Sequence, residues 1–281
     1  MKHFKEIVTA KTPEDAVRLR REAGIRALYL AGGTMTVPLA ARAIDLLVDI
    51  GRLDLGRVAT RDGVVSIGAT ARMCDLLTPD LEADLPLVSD ALRQCATPLV
   101  RNMATAGGAL AVVHLPSDFA LAVLAADGVV EILREERVKV AASDLLAKGW
   151  LKGTDLVLGI EVPTKAPREG TGFEKFGRSA VDIAIVSAAV RVVRAADGSV
   201  GDLRIAVGQS NSLPVLLKDA CAAAVGKPLT KDAIAEISRS AANFIKARSD
   251  FRASAEYRKH LVEVFVGRAL VRAGAKAGWN L

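Results

Sequence analysis

Ile25-Arg26-Ala27-Leu28-Tyr29-Leu30-Ala31-Gly32-Gly33-Thr34 reads as a strand running straight into a paired-glycine turn. Glycines at that place let backbone N–H groups turn outward and approach an anion with no side chain in the way. A diphosphate could sit on Ala31-Gly32-Gly33-Thr34-Met35-Thr36, and the same residues also suit a plain strand-ending turn. Upstream, Thr12-Pro13-Glu14-Asp15 is a helix start, with a hydroxyl cap, proline at the first helical position and carboxylates in the first turn. Gly24 supplies the left-handed stop. Downstream, Leu46-Leu47-Val48-Asp49-Ile50 is a second short strand. Strand, helix and strand in this order predict a small α/β unit with parallel pairing.

A second small-residue run, Thr105-Ala106-Gly107-Gly108-Ala109-Leu110, follows Pro98-Leu99-Val100-Arg101-Asn102-Met103-Ala104. Such a run removes side chains where a backbone must approach something closely, either a ligand or a neighbouring strand. Around it the pattern is α+β, a second subdomain. Strands are expected at Val64–Gly68, Val129–Leu133, Arg137–Val140 and Leu156–Val162, with helices near 70–78, 87–96 and 117–126. Pro116-Ser117-Asp118 opens the last of these helices, and Phe119, Leu121, Val123 and Leu124 give it an apolar face. Asp118 either complements the helix dipole or accepts hydrogen bonds from ligand hydroxyls, as acidic residues do with a ribose.

Pro163 to Gly172, with two prolines and two glycines in ten residues, is the expected linker. Beyond it come strand-like stretches at Ala184–Val193 and Leu203–Gly208, then helical stretches near 214–225, 230–246 and 253–273.

With 281 residues, 51% hydrophobic and 25% charged, the chain has the composition of a folded protein large enough for two or three small domains. The net charge of +6 is not spread evenly. Residues 1–226 hold 27 Lys+Arg against 27 Asp+Glu, and residues 227–281 hold 11 against 5. That excess lies along helical stretches with few aromatics to stack bases, so it predicts a solvated face or a docking surface for an acidic partner, and no nucleic-acid binding. Cys74, Cys95 and Cys221 are far apart, which argues against a zinc site, an iron–sulfur cluster held by this chain alone, or an oxidising compartment. The start, Met1 to Ile7, lacks the apolar stretch of a signal peptide, and no apolar run reaches the length of a membrane span. A cytoplasmic location is therefore expected.

Several matches fail. Gly172-Phe173-Glu174-Lys175-Phe176-Gly177-Arg178-Ser179 has phosphate-loop spacing but carries Arg178 where the motif needs lysine. No GxGxxG and no GxSxG occurs, and His3, His114 and His260 are too scattered for a metal site or a triad. No catalytic residue and no metal ligand is assigned.

Taken in order, these segments resemble the flavin subunit of the molybdenum-containing hydroxylases, the family of the carbon monoxide dehydrogenase medium chain and the xanthine dehydrogenase flavin domain. Tyr29 to Thr34 resembles its first diphosphate loop, Val100 to Gly108 its R-N-x-A-T-x-G-G second loop, and Asp118 the acid of its P-x-x-D segment. Val157 to Pro163 resembles the strand closing the flavin domain. Phe173 to Arg178 with Asp182-Ile183-Ala184 resembles the opening of the C-terminal domain, and Gly226 to Leu229 with Ser254 to Leu261 its helical end.

The resemblance implies an α+β fold: a two-subdomain, PCMH-type FAD-binding domain at 1–165, divided near 57/58, and a C-terminal domain of antiparallel strands and a helical bundle at 172–281. It implies non-covalent FAD, with Ala31, Gly32, Gly33, Thr34, Met35, Thr105, Ala106, Gly107, Gly108, Ala109, Asp118, Leu158 and Lys175 as cofactor-binding residues. It also implies a heterotrimer, or its dimer, with a small [2Fe–2S] subunit and a large subunit carrying the molybdenum cofactor. Electrons would pass from the cluster to this flavin and on to NAD⁺, a quinone or oxygen. Lys175 is either a positive group near the ring or a surface lysine. Ala109 and Met35 stand where relatives carry polar groups, which leaves open an assembly subunit with weakened FAD binding, and an independent nucleotide-binding protein is a third reading. Val112-Val113-His114 is bulkier and less polar than in relatives, with His114 either substrate-side or local packing.

Overall fold

The computed structural model describes residues 4–40, 44–111, 117–147, 151, 153–208 and 213–281. Val112, Val113, His114 and His3 lie outside the described residues. The strands fall into three sheets. The first is parallel, ordered β1-β3-β2, from β1 (Glu6–Thr9), β2 (Ala27–Leu30) and β3 (Leu46–Asp49). The second is ordered β4-β5-β8-β6-β7, from β4 (Val58–Arg61), β5 (Val64–Gly68), β6 (Val129–Leu133), β7 (Arg137–Ala141) and β8 (Leu156–Pro163). The third is antiparallel, ordered β12-β11-β10-β9, from β9 (Glu169–Phe176), β10 (Val186–Arg194), β11 (Val200–Gly208) and β12 (Val215–Leu216).

The helices, in chain order, are α1 (Pro13–Ala23), α2 (Thr36–Ala40), α3 (Pro79–Asp84), α4 (Pro86–Arg93), α5 (Pro98–Arg101), α6 (Ala106–Ala111), α7 (Asp118–Ala125), α8 (Ala142–Ala147), α9 (Lys218–Ala224), α10 (Lys231–Phe244) and α11 (Ala255–Lys276). A 3₁₀ turn occupies Met73–Leu76, within the stretch expected to be helical at 70–78. Caps sit where the side chains predict them: the Oγ1 of Thr12 accepts from the Asp15 N–H, that of Thr97 from Val100 and that of Thr230 from Ala233.

By contacts the chain divides into two compact units. One comprises Met1–Thr78, Thr97–Val113 and Gly128–Val162; the other comprises Pro79–Ala96, His114–Asp127 and Pro163–Leu281. The limits 1–165 and 172–281 are limits along the sequence, whereas the contacts place α3, α4 and α7 with the third sheet. The reason is apolar surface: after Asp118 the other seven residues of α7 are all apolar and buried, and a helix with so little polar surface has to be covered on every side.

In the first unit, Val17 of α1, Val48 of the parallel sheet, Ile50 just after it, and Leu133, Leu156 and Leu158 of the second sheet form one apolar cluster. In the second unit, α10 and α11 pack on the antiparallel sheet through Ile234, Ile237, Leu261, Val262, Phe265, Val266 and Leu270.

The expected linker is shorter than the prolines and glycines suggested. Pro163 ends β8 and Glu169 begins β9, so only 164–168 connect them. The glycines serve packing instead: a Cβ at Gly170 would stand 1.8 Å from the Ala273 carbonyl oxygen, and one at Gly172 would stand 2.2 Å from that of Ala269. They let α11 lie against the sheet. The helix expected near 214–225 likewise starts late, because Val215 and Leu216 pair with Val207 and Ala206 as β12.

Candidate functional site

The first glycine loop follows β2. Ala31 to Thr36 are half-buried, and Gly33 adopts φ +69°, a left-handed conformation that L side chains resist. The Gly33 carbonyl accepts the Val37 N–H at 3.1 Å, and the Thr36 hydroxyl donates to the Tyr29 carbonyl at 3.2 Å, which fixes the start of α2. The N–H groups of Gly32, Gly33, Thr34 and Met35 donate to no described residue. A half-buried run of unpaired amides around a left-handed glycine is a donor set for an anion.

Gly32 has a different duty. A Cβ there would lie 1.7 Å from the Met103 carbonyl oxygen, so the glycine lets the first loop rest on the backbone that leads into the second. In the second loop the amides are already engaged. Ala106 N–H donates to the Ala71 carbonyl at 2.9 Å, Gly107 N–H to that of Ala69 at 2.8 Å, and Ala109 N–H to that of Thr105 at 2.9 Å. Gly108 N–H reaches the Thr105 hydroxyl at 3.3 Å. Thr105, Ala106 and Gly107 are buried, Ala109 is half-buried and Gly108 is exposed. A Cβ at Gly107 would meet the Ala69 Cβ at 2.7 Å, so this glycine serves a close approach within the protein.

Leu158 enters through its backbone. Its side chain is buried in the core of the first unit, while its carbonyl accepts the Ala69 N–H at 3.0 Å. The turn Gly68-Ala69-Thr70-Ala71 thus links β8 to the second loop. Sequence reasoning did not single out this turn. Its run of small residues directly after a strand was the available signal.

Asp118 and Lys175 are brought together in the second unit. Lys175 Nζ stands 2.9 Å from Asp118 Oδ2 and donates to the Gln94 carbonyl at 2.7 Å. Their side chains are 6% and 7% exposed, so Lys175 is no surface lysine. Burial pushes the Asp118 carboxyl up from its ordinary value, against the pull of the Lys175 ammonium and of the Ser187 hydroxyl. Asp118 Oδ1 is buried and has no hydrogen-bond partner. Gln94 and Ser187 carry no motif, and nothing in the sequence pointed to them.

The arrangement offers an anion cradle on one loop, a second loop braced behind it by buried backbone bonds, and elsewhere a buried, compensated lysine. Among the described residues no group of three or more His, Cys, Asp or Glu could hold a metal ion. No helix among them is long and apolar enough to cross a membrane.

Residues 2–165 match the FAD-binding domain in molybdopterin dehydrogenase, and residues 171–273 match the CO dehydrogenase flavoprotein C-terminal domain. Among relatives, the 6-hydroxypseudooxynicotine dehydrogenase complex subunit alpha of Paenarthrobacter nicotinovorans is 30% identical over 278 residues, covering 95% of this chain and 94% of its own. The carbon monoxide dehydrogenase medium chain of Hydrogenophaga pseudoflava is 30% identical over 277 residues, covering 95% and 96%. A solved carbon monoxide dehydrogenase from Hydrogenophaga pseudoflava, lacking the Mo-pyranopterin moiety of its cofactor, superposes with a TM-score of 0.92 at 29% identity over 98% of this chain and 99% of that one. With both domain matches in register and the loop geometry in place, the chain belongs to the family of FAD-binding subunits of the molybdopterin dehydrogenases.

Proposed function

We propose that the chain is the FAD-carrying electron-transfer subunit of a molybdenum hydroxylase complex, taking electrons from a [2Fe–2S] subunit and passing them to NAD⁺, a quinone or oxygen. The observation that carries this is the first glycine loop, whose unpaired amides from Gly32 to Met35 suit a diphosphate. FAD, when bound, accepts electrons singly and releases them in pairs, which an iron–sulfur cluster cannot do. The chain's own residues position and tune. Gly32 holds the cradle against Met103, Gly107 holds the second loop against Ala69, and Thr105 keeps its hydroxyl beside the Gly108 amide. Lys175 is a buried positive group of the second unit, and Asp118 beside it limits how much of that charge is free. Such a role needs no acid–base pair, in keeping with the absence of an assigned catalytic residue.

Partner chains bearing a [2Fe–2S] cluster and the molybdenum cofactor belong to this reading, as does a cytoplasmic setting. One observation favours the second reading, an assembly subunit with weakened FAD binding: the second loop has no backbone amide to offer at Ala106, Gly107 or Ala109. The test is anaerobic reduction of the isolated complex by its substrate, followed by NAD⁺, a quinone or oxygen in separate cuvettes. Bleaching near 450 nm, reversed by one acceptor, is expected; a complex whose turnover needs no flavin contradicts the proposal.

A further inference from the structure

A cleft opens on the first unit between α1 and the turn that joins β6 to β7, and it shares no residue with either glycine loop. Its floor is apolar: Val17 of α1 and Leu133, the last residue of β6, are 5% and 4% exposed and belong to the same core cluster. Glu14, Val17 and Arg21 follow one another at three- and four-residue spacing, which sets them on one face of α1. Arg134 and Glu135 line the cleft from the turn. Its volume is about 320 Å³, at the lower end of the roughly 300–1,000 Å³ of small-molecule sites.

Most of the charge in this cleft is already matched. Arg18 is held by Asp15 at 2.7 Å and Glu22 at 2.9 Å, Glu14 by Arg137 at 3.4 Å, and Arg134 Nε by Asp155 at 3.0 Å. The last pair is an anchor, because the Asp155 side chain is only 2% exposed and a planar guanidinium tied at Nε has its terminal nitrogens fixed in direction. Those nitrogens, Nη1 and Nη2, donate to no described residue. Arg21 and Glu135 form no ion pair with any described residue, although they carry opposite charges and line the same cleft. A ligand with one charge of each sign spans a gap of that kind.

We propose that this cleft binds a free α-amino acid with an apolar side chain. Its carboxylate lies on Arg21 and the Nη groups of Arg134, its ammonium on Glu135, and its side chain on Val17 and Leu133. Each part of the ligand thus meets a group that the protein leaves unused. A bare anion would lie beside Glu135, and a metal cation beside two guanidinium groups, so neither suits the set. The site stands apart from the proposed function, since none of its residues belongs to the anion cradle.

The test is equilibrium dialysis of radiolabelled L-leucine against the purified full-length chain, with isocaproate, which lacks the ammonium, and isoamylamine, which lacks the carboxylate, as competitors. Saturable binding with a dissociation constant below about 1 mM is expected. Each competitor, missing one charge, should bind at least roughly tenfold more weakly than leucine. Arg21→Met and Glu135→Gln should each weaken leucine binding at least about tenfold, and because both side chains are exposed the variants should keep the wild-type thermal midpoint. A wild-type chain with no saturable leucine binding overturns the proposal, and so does undiminished binding in either variant. Isocaproate or isoamylamine that competes as well as leucine overturns it too, by reducing the cleft to a site for a single charge.

Discussion

Gly32, Gly33, Gly107 and Gly108 look alike in the sequence and do three different things. Gly32 and Gly107 leave room for the protein's own backbone, Gly33 supplies a left-handed turn, and Gly108, though exposed, leaves room for the Thr105 hydroxyl, 2.8 Å from where a Cβ would stand. Gly32→Ala should cost about 3 kcal/mol or more, because the Met103 carbonyl cannot move without dragging the second loop. Gly33→Ala should cost about 1–2 kcal/mol from its left-handed conformation. It should weaken FAD binding more than it lowers the melting temperature, whereas Gly108→Ala should lower the melting temperature by displacing the buried Thr105 hydroxyl, 2.8 Å from where the new Cβ would stand; thermal unfolding beside FAD titration separates the three. The paired glycines were legible as loops, but which one faces a ligand was not, since that depends on Met103 and Ala69, far away in the chain. Asp118 and Lys175 were each picked out for a ligand, and their pairing across 57 positions left no trace in either motif. Asp118→Asn leaves a buried ammonium without its counter-charge and should destabilise by about 3–5 kcal/mol, while Asp118→Asn with Lys175→Met should recover much of that. Additive losses in a denaturation cycle would deny the coupling.

At the scale of elements, strands and helices with strong periodicity were legible to within a few residues: β5, β6, β8, α10 and α11 lie where the pattern put them. The misreading at Pro163–Gly172 has a single cause. Glycine marks both turns and close helix–sheet contact, and only α11, about a hundred residues later, decides which. The loop before α11 carries a pH prediction. Burial works against ionisation of Asp250, but the Arg252 N–H, the Arg258 guanidinium and the Ala253 N–H outweigh it and hold the carboxyl below the ordinary carboxylate range. A carboxyl lowered by folding stabilises the native state above its unfolded value near 4 and loses that contribution as pH falls further. Stability should therefore decline below about pH 4, and Asp250→Asn should be less stable at neutral pH with a flatter acid limb in urea titrations.

For the molecule as a whole, the net charge of +6 lies in the C-terminal 55 residues, along helices with few aromatics to stack bases. The resemblance resting on six short segments is matched by the family assignment of residues 2–165 and 171–273 and by a fold that superposes along 98% of the chain. What the sequence did not disclose is how the compact units are assembled, because α3, α4 and α7 sit within the first 165 residues yet keep contact with the third sheet. Nor did it separate an FAD carrier from an assembly subunit, since that turns on amides whose partners only the folded chain reveals. The most direct measurement is the FAD content of the purified full-length chain, released by acid and read at 450 nm, beside a Gly33→Val variant that remains folded. One FAD per chain in the wild type and little or none in the variant is predicted; a colourless wild type that takes up no added FAD, or a variant with undiminished FAD, would contradict the account.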